Sequence, residues 1–171
     1  LAGGGDPASS AIITQIRAPR VGLGIATGVA LALAGATLQG MLRNPLADPG
    51  LVGVTGGASL GAVVVIVLGE HFLGGMPAGL RPWALPVMAF VAAAAVTAFI
   101  FLVARRAGGT SIATLILAGV AVNSIAAAGI GAMVYVSDDD QLRDLTFWTM
   151  GSLGGAGWPL VTVALIVTLP V

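Results

Sequence analysis

Four charge-free runs, at residues 21–42, 49–69, 82–104 and 107–137, dominate this chain. A helix needs about 20 residues to cross the hydrocarbon core of a bilayer, so each run can span one. The segments between them hold charges or turn formers: 17–20, 43–48, 70–81, 105–110 and 138–144. A further apolar run opens near Trp158 and continues to Val171. Strand alternation does not compete, because a barrel would show segments of about ten residues with alternating polarity. Lipid offers backbone groups no partners, which favours helices that satisfy their own. The expected fold is all-α: a polytopic transmembrane helical bundle in one domain over residues 1–171. Helices are expected at about 21–42, 51–69, 83–104 and 112–136. A short helix follows at about 140–149, and another begins at about 158–171. The chain starts at Leu1 and stops inside an apolar run, so it is read as a fragment of a longer protein.

Composition removes whole classes of function. Only 8% of residues are charged, against roughly 25% in a soluble domain. There is no Cys, hence no thiolate metal site and no Cys nucleophile. There is no Lys, hence no Walker A motif. His71 is the sole histidine, which excludes multi-histidine metal centres, and it is expected in a loop and solvated. The arginines are scattered and form no stripe for nucleic acid. They also leave orientation open: Arg17, Arg20, Arg81 and Arg143 lie on one side and Arg43, Arg105 and Arg106 on the other. The acids are less even, all but Asp48 lying with the first group.

Small residues recur every four positions at Gly24, Gly28, Ala32, Ala36 and Gly40, at Gly53, Gly57 and Gly61, and at Gly119, Asn123, Ala127 and Gly131. Such ladders let helix backbones approach closely in lipid. Three of them in one chain point to a compact bundle of many helices.

Few residues could carry chemistry. In Arg43-Asn44-Pro45-Leu46-Ala47-Asp48-Pro49-Gly50, two prolines restrict Asn44 and Asp48 to extended backbone, so the link is stiff. It is either a well-made helix-to-helix turn or a constriction at the mouth of a pathway. The glycines of 51–59 lack the GK[ST] ending of a phosphate loop and suit a bent or unwound helix start instead. No span contains an Asp, Glu, His, Lys or Arg, so nothing supports a proton relay or ion site. Gln39 and Asn123 need partners in lipid, either in another helix or along a wet pathway. After the fourth span, Asp140 can N-cap a short helix with Asp144 in its first turns. Leu142, Leu145, Phe147 and Trp148 give that helix an apolar side. The glycines at 151–157 then supply a hinge, and the combination reads as a candidate gate.

Arg17-Ala18-Pro19-Arg20, Leu38-Gln39-Gly40, Asn44-Pro45-Leu46-Ala47-Asp48-Pro49 and Gly53-Val54-Thr55-Gly56-Gly57-Ala58 together resemble the FecCD-type permeases of the iron-siderophore, cobalamin and haem ABC importers. Leu117-Ala118-Gly119-Val120-Ala121-Val122-Asn123 and Trp148-Thr149-Met150-Gly151-Ser152-Leu153 are similar further along. The resemblance implies part of a ten-helix type II importer permease, not itself an enzyme, in the inner membrane. Its partners would be a second permease copy, two ATPase subunits that hold ATP and Mg, and a periplasmic substrate-binding protein. The chain itself would hold no cofactor or metal and bind no nucleic acid. The Arg43, Arg105 and Arg106 side would be cytoplasmic. The cytoplasmic gate would comprise Asn44 and Leu46, with a second part at Thr110 and Ser111; counting back from Gly119 lands on Ile112 and Ala113 instead. Gln39, Asn123 and Gly57 would line the pathway. Phe147, Trp148, Gly151 and Ser152 would form the periplasmic gate and hinge. Arg81 and Arg143 would dock the binding protein. The run from Asp138 to Ala156 looks like the haem branch, making haem the expected substrate, with ferric siderophore or cobalamin as alternatives. An intramembrane enzyme fits less well, because it would need a nucleophile–base or metal constellation.

Overall fold

A computed structural model describes residues 7–106 and 109–168. Helix α1 (Pro7–Ile12), a π turn (Ile13–Arg17) and α2 (Ala18–Leu42) form one continuous helical stretch. Pro19 explains the π turn. Its ring nitrogen has no hydrogen to give, and the ladder re-registers so that the Ala18 N–H reaches back to the Ile13 carbonyl. A 3-10 turn (Pro49–Val52) leads into α3 (Val54–Leu73), followed by α4 (Arg81–Ala104). Two-residue strands β1 (Arg105–Arg106) and β2 (Gly109–Thr110) pair antiparallel between α4 and α5 (Ile112–Val136). The short α6 (Asp139–Met150) and α7 (Trp158–Thr168) complete the described chain. Among the described residues, four helical stretches are long and apolar enough to cross a membrane.

Helix α3 is the centre. It packs against α4, α5 and α6, while α2 packs mainly against α7. A third of its membrane-length window is buried within the chain, against 6% for the stretch ending in α2. Small residues make this possible: a Cβ on Gly61 would lie 2.6 Å from the Met88 carbonyl oxygen, and one on Gly57 would lie 3.0 Å from that of Ala92. Two buried clusters mark the ends of the bundle. Val52, Ile100, Ala104 and Leu115 fill one; Val63, Val67 and Leu145 fill the other. Hydroxyls in the spans are satisfied locally, as when Thr27 and Thr97 donate to the carbonyls of Leu23 and Ala93.

The structure corrects three expectations. The first helix begins well before residue 21, because Arg17 and Arg20 end the apolar run but not the helix. His71 is not in a loop; it lies exposed in the last turn of α3. Asp138, not Asp140, caps α6. Its carboxylate accepts from the Gln141 N–H at 2.8 Å, and the Gln141 side chain accepts from the Asp138 N–H. Three acids in a row were equivalent by residue type, but only Asp138 has a Gln three residues on to close the capping box. The expected helix 112–136 matches α5, and residues 169–171 of the last expected span lie outside the described residues.

Candidate functional site

The first candidate region is the connector from α2 to α3. Helix α2 ends with Arg43 in the left-handed conformation (φ 48), and the Asn44 N–H bonds back to the Gln39 carbonyl at 3.1 Å. Asn44 then braces the turn: its side-chain oxygen accepts from the Leu46 N–H at 2.9 Å and its carbonyl from the Ala47 N–H at 3.1 Å. Asp48 is extended (φ −123, ψ 132), as the following proline requires, and its carboxylate caps the 3-10 turn through the Gly50 N–H at 2.6 Å. Gly53 closes that turn at φ 80, a conformation suited to glycine. Leu46 projects outward at 84% exposure.

Asn44 and Leu46 share a 60 Å³ cavity with Ile112 and Ile116 of α5. Ser111 stands at the adjoining N-cap, where its hydroxyl accepts from the Thr114 N–H and side chain. The two parts of the expected cytoplasmic gate are therefore neighbours at one end of the bundle. Thr110 enters through its backbone, paired with Arg105; its side chain lies outside the described residues. Ile112, the alternative reached by counting back from Gly119, is one of the two α5 residues that share this cavity with Leu46; Ala113 does not line it.

The second region is at the opposite end. Phe147, Trp148, Gly151 and Ser152 line a cavity of about 550 Å³ with Ile66, Leu85 and Asp144. A neighbouring cleft of about 750 Å³ shares Ile66, Leu85 and Asp144 and adds Glu70, Arg81, Asp138 and Asp140 among others. Helix α6 is held to α3 by Leu145, buried against Val63 and Val67, and by the Gln141 amide, which donates to the Val67 carbonyl at 3.3 Å. Beyond α6 the chain turns at Gly151 (φ 72). The following segment is tied to the first helical stretch where Arg20 donates to the Gly154 carbonyl at 3.3 Å, and locally where the Gly154 N–H donates to the Ser152 hydroxyl at 3.0 Å. The Trp158 indole N–H donates to the Thr14 carbonyl at 3.0 Å, fixing the start of α7 on the first helical stretch. Sequence reasoning missed Gln141, Arg20 and Trp158 in these roles; only Gln141, through the D-x-x-Q spacing, carried a readable signal.

The remaining site residues scatter. Gln39 is exposed on α2 and lines none of the three cavities. Gly57 is buried against α4, and Asn123 bonds the 3-10 turn, so both have packing partners inside the bundle. Arg81 folds onto its own connector, donating to the carbonyls of Met76 and Gly74. Arg143 is exposed and pairs with Asp140 at 3.3 Å.

Comparison with known proteins gives a consistent result. The sequence model of the FecCD transport family matches residues 1–171. The hemin transport system permease protein HmuU of Yersinia pestis is 43% identical over 156 residues, covering 91% of this chain and 45% of its own. YvrB of Bacillus subtilis, described as an uncharacterized ABC transporter permease protein, is 40% identical over 95% of this chain and 45% of its own. The vitamin B12 import system permease protein BtuC of Salmonella paratyphi A is 40% identical over 85% of this chain and 42% of its own. The chain thus spans under half the length of these relatives. A solved structure, an inward-facing ABC transporter described as being of metal-chelate type, superposes with a TM-score of 0.83 at 28% identity. That superposition covers 99% of this chain and 51% of the other.

Proposed function

The chain belongs to the FecCD transport family, and from that premise we propose that it is part of the membrane channel of an ATP-driven importer for a bulky metal chelate, haem before cobalamin or a ferric siderophore. The observation that carries the reading is the match of the family along all 171 residues. Haem is placed first because the hemin permease matches at 43% identity over 91% of the chain, against 40% over 85% for the vitamin B12 permease. In this reading two permease copies sit in the inner membrane on two ATPase subunits that hold ATP and Mg, and a periplasmic protein delivers the chelate. The end bearing Arg43 and Arg105 faces the cytoplasm, with Asn44, Leu46 and Ser111 at its gate. The α6 end receives the substrate past Phe147 and Trp148. The spans support release rather than capture, because their stretches 21–42, 54–69, 82–104 and 112–136 hold no charged side chain that would trap a charged ligand.

The test is reconstitution of the full-length permease with its ATPase in proteoliposomes, with binding protein loaded with haem, cobalamin or a ferric siderophore. ATP-dependent uptake and ATPase stimulation are expected with haem. Stimulation by another chelate with none by haem would reassign the substrate, and uptake driven by a proton gradient without ATP would overturn the importer reading.

A further inference from the structure

Asn123 lies about three turns into α5 from its gate end, half-buried, with its side-chain amide nitrogen 2.8 Å from the carbonyl oxygen of Gly50. One turn earlier on the same face, Gly119 leaves a notch. A Cβ there would collide with the Leu51 carbonyl oxygen and approach the Val52 Cα to 3.1 Å. The 3-10 turn is therefore seated in α5 by a missing side chain at 119 and gripped by a long one at 123. From the other side, Gly56 of α3 lies directly against the Asn123 side-chain oxygen, and any side chain at 56 would push the amide off its acceptor. Among the described residues, no other side-chain hydrogen bond joins residues 43–53 to α5.

The grip extends into the loop. Gly50, whose carbonyl Asn123 holds, gives its own N–H to the Asp48 carboxylate, and the Asp48 carbonyl accepts from the Leu51 N–H at 3.1 Å. Asn44 braces the preceding residues in the same way. The connector is thus a small, internally hydrogen-bonded body, attached to α5 at one polar point.

We propose that Asn123 is a positioning residue that clamps the 3-10 turn to α5, so that the 43–48 loop and the start of α5 move as one body. An apolar residue of similar size would fill the space but leave the Gly50 carbonyl with only the longer bond from the Gly53 N–H, at 3.3 Å within the turn itself, and so remove the polar link to α5. The coupling of loop to helix stands on geometry alone; its consequence for transport rests on the reading of Asn44 and Leu46 as a gate.

Hydrogen exchange on the full-length transporter in lipid, comparing Asn123 with Asn123→Ala and Asn123→Asp, tests the clamp. The Asp variant keeps the size and removes the donor, so it serves if the Ala variant fails to fold. Amides of residues 46–53 should lose about fivefold in protection, the factor one net hydrogen bond sets on an opening equilibrium, while α4 and the rest of α5 keep theirs. ATP hydrolysed per chelate transported should rise in the same variants. Unchanged protection of 46–53, or a loss spread evenly over α3, α4 and α5, would overturn the clamp. A loss confined to 46–53 with an unchanged ATP-to-chelate ratio would leave the clamp standing and remove the loop from the gate.

Discussion

At the Arg43 end of the bundle, backbone meets backbone. Gly119 admits the Leu51 carbonyl, Gly53 faces Ile100 and Val96, and Gly57 lies against Ala92. At the α6 end the same residue type does the opposite. Around Gly75, Gly79, Gly151 and Gly155 there is nothing within 4 Å of where a side chain would begin. Lipid tails are as apolar as leucine, so helices in a membrane cohere by close packing rather than by expulsion from water. Glycine in contact therefore adds cohesion, and glycine in open space adds conformational freedom. The two ends differ accordingly: one is a packed joint of 3-10 turn, α4 and α5; the other is an open cleft bounded by a short helix and a bend.

The largest effect should come from adding one methyl group at the packed end. Gly119→Ala places a Cβ on backbone that cannot rotate away, and overpacking of this kind costs about 3 kcal/mol. Gly131→Ala, on the same helix with open space around it, should instead stabilise by about 0.5–1 kcal/mol through lower chain entropy. Thermal unfolding of the lipid-reconstituted full-length protein should move in opposite directions for the two. Shifts of the same sign and size would abolish the distinction between the ends.

Gly151→Ala ranks next. No atom opposes the new side chain, but φ 72 with ψ 142 is glycine territory, and holding another residue there costs about 1–3 kcal/mol. Because the strain sits at a bend between α6 and α7, the loss should be local: limited proteolysis should speed up around residues 151–157 with little change in the melting of the bundle. A global loss as large as that of Gly119→Ala would mean the bend is part of the joint.

Asp138→Ala removes the cap of α6 and should cost about 1 kcal/mol. Exchange should rise at the amide of Gln141 and in the first turn of α6, with α3 unaffected. Unchanged exchange there would show that Leu145 and Gln141 alone hold α6 to α3.

How far these features were readable depended on whether the physics is local. Helix α5 was legible to the residue because Ser111 and Ser137 bound an apolar run and both adopt extended backbone. The first helix was not, since an arginine near an interface can stay in a helix while its guanidinium reaches polar surroundings. The D-x-x-Q spacing marks Asp138 as the cap of α6, whereas residue type alone points equally to Asp140. Asn123 was legible as a polar group in need of a partner, yet its acceptor lies 73 residues away in sequence, and no local pattern names it. For Leu46 and the start of α5 the sequence identified both segments, and only the fold shows that Leu46 and Ile112, next to Ser111, line one cavity.

The smallest stability effect separates two arginines that look alike in sequence. Arg143 is joined to Asp140 three residues away in a pair that is 66% and 88% exposed. Such pairs are worth about 0–1 kcal/mol and are screened by salt, so Arg143→Ala should leave the melting temperature nearly unchanged. Arg81 is braced instead, donating to the Met76 and Gly74 carbonyls across the connector it terminates, so Arg81→Ala should loosen residues 74–80 in hydrogen exchange. Both stand at the α6 end, where a binding protein is proposed to dock. A guanidinium already committed to two carbonyls has fewer N–H groups to offer a partner than one held by a solvated carboxylate. Arg143→Glu should therefore weaken affinity for the binding protein at low salt more than Arg81→Glu does, with the difference fading as ionic strength rises. Equal losses would place both arginines in the docked surface, and no loss from either would move docking away from this end of α6.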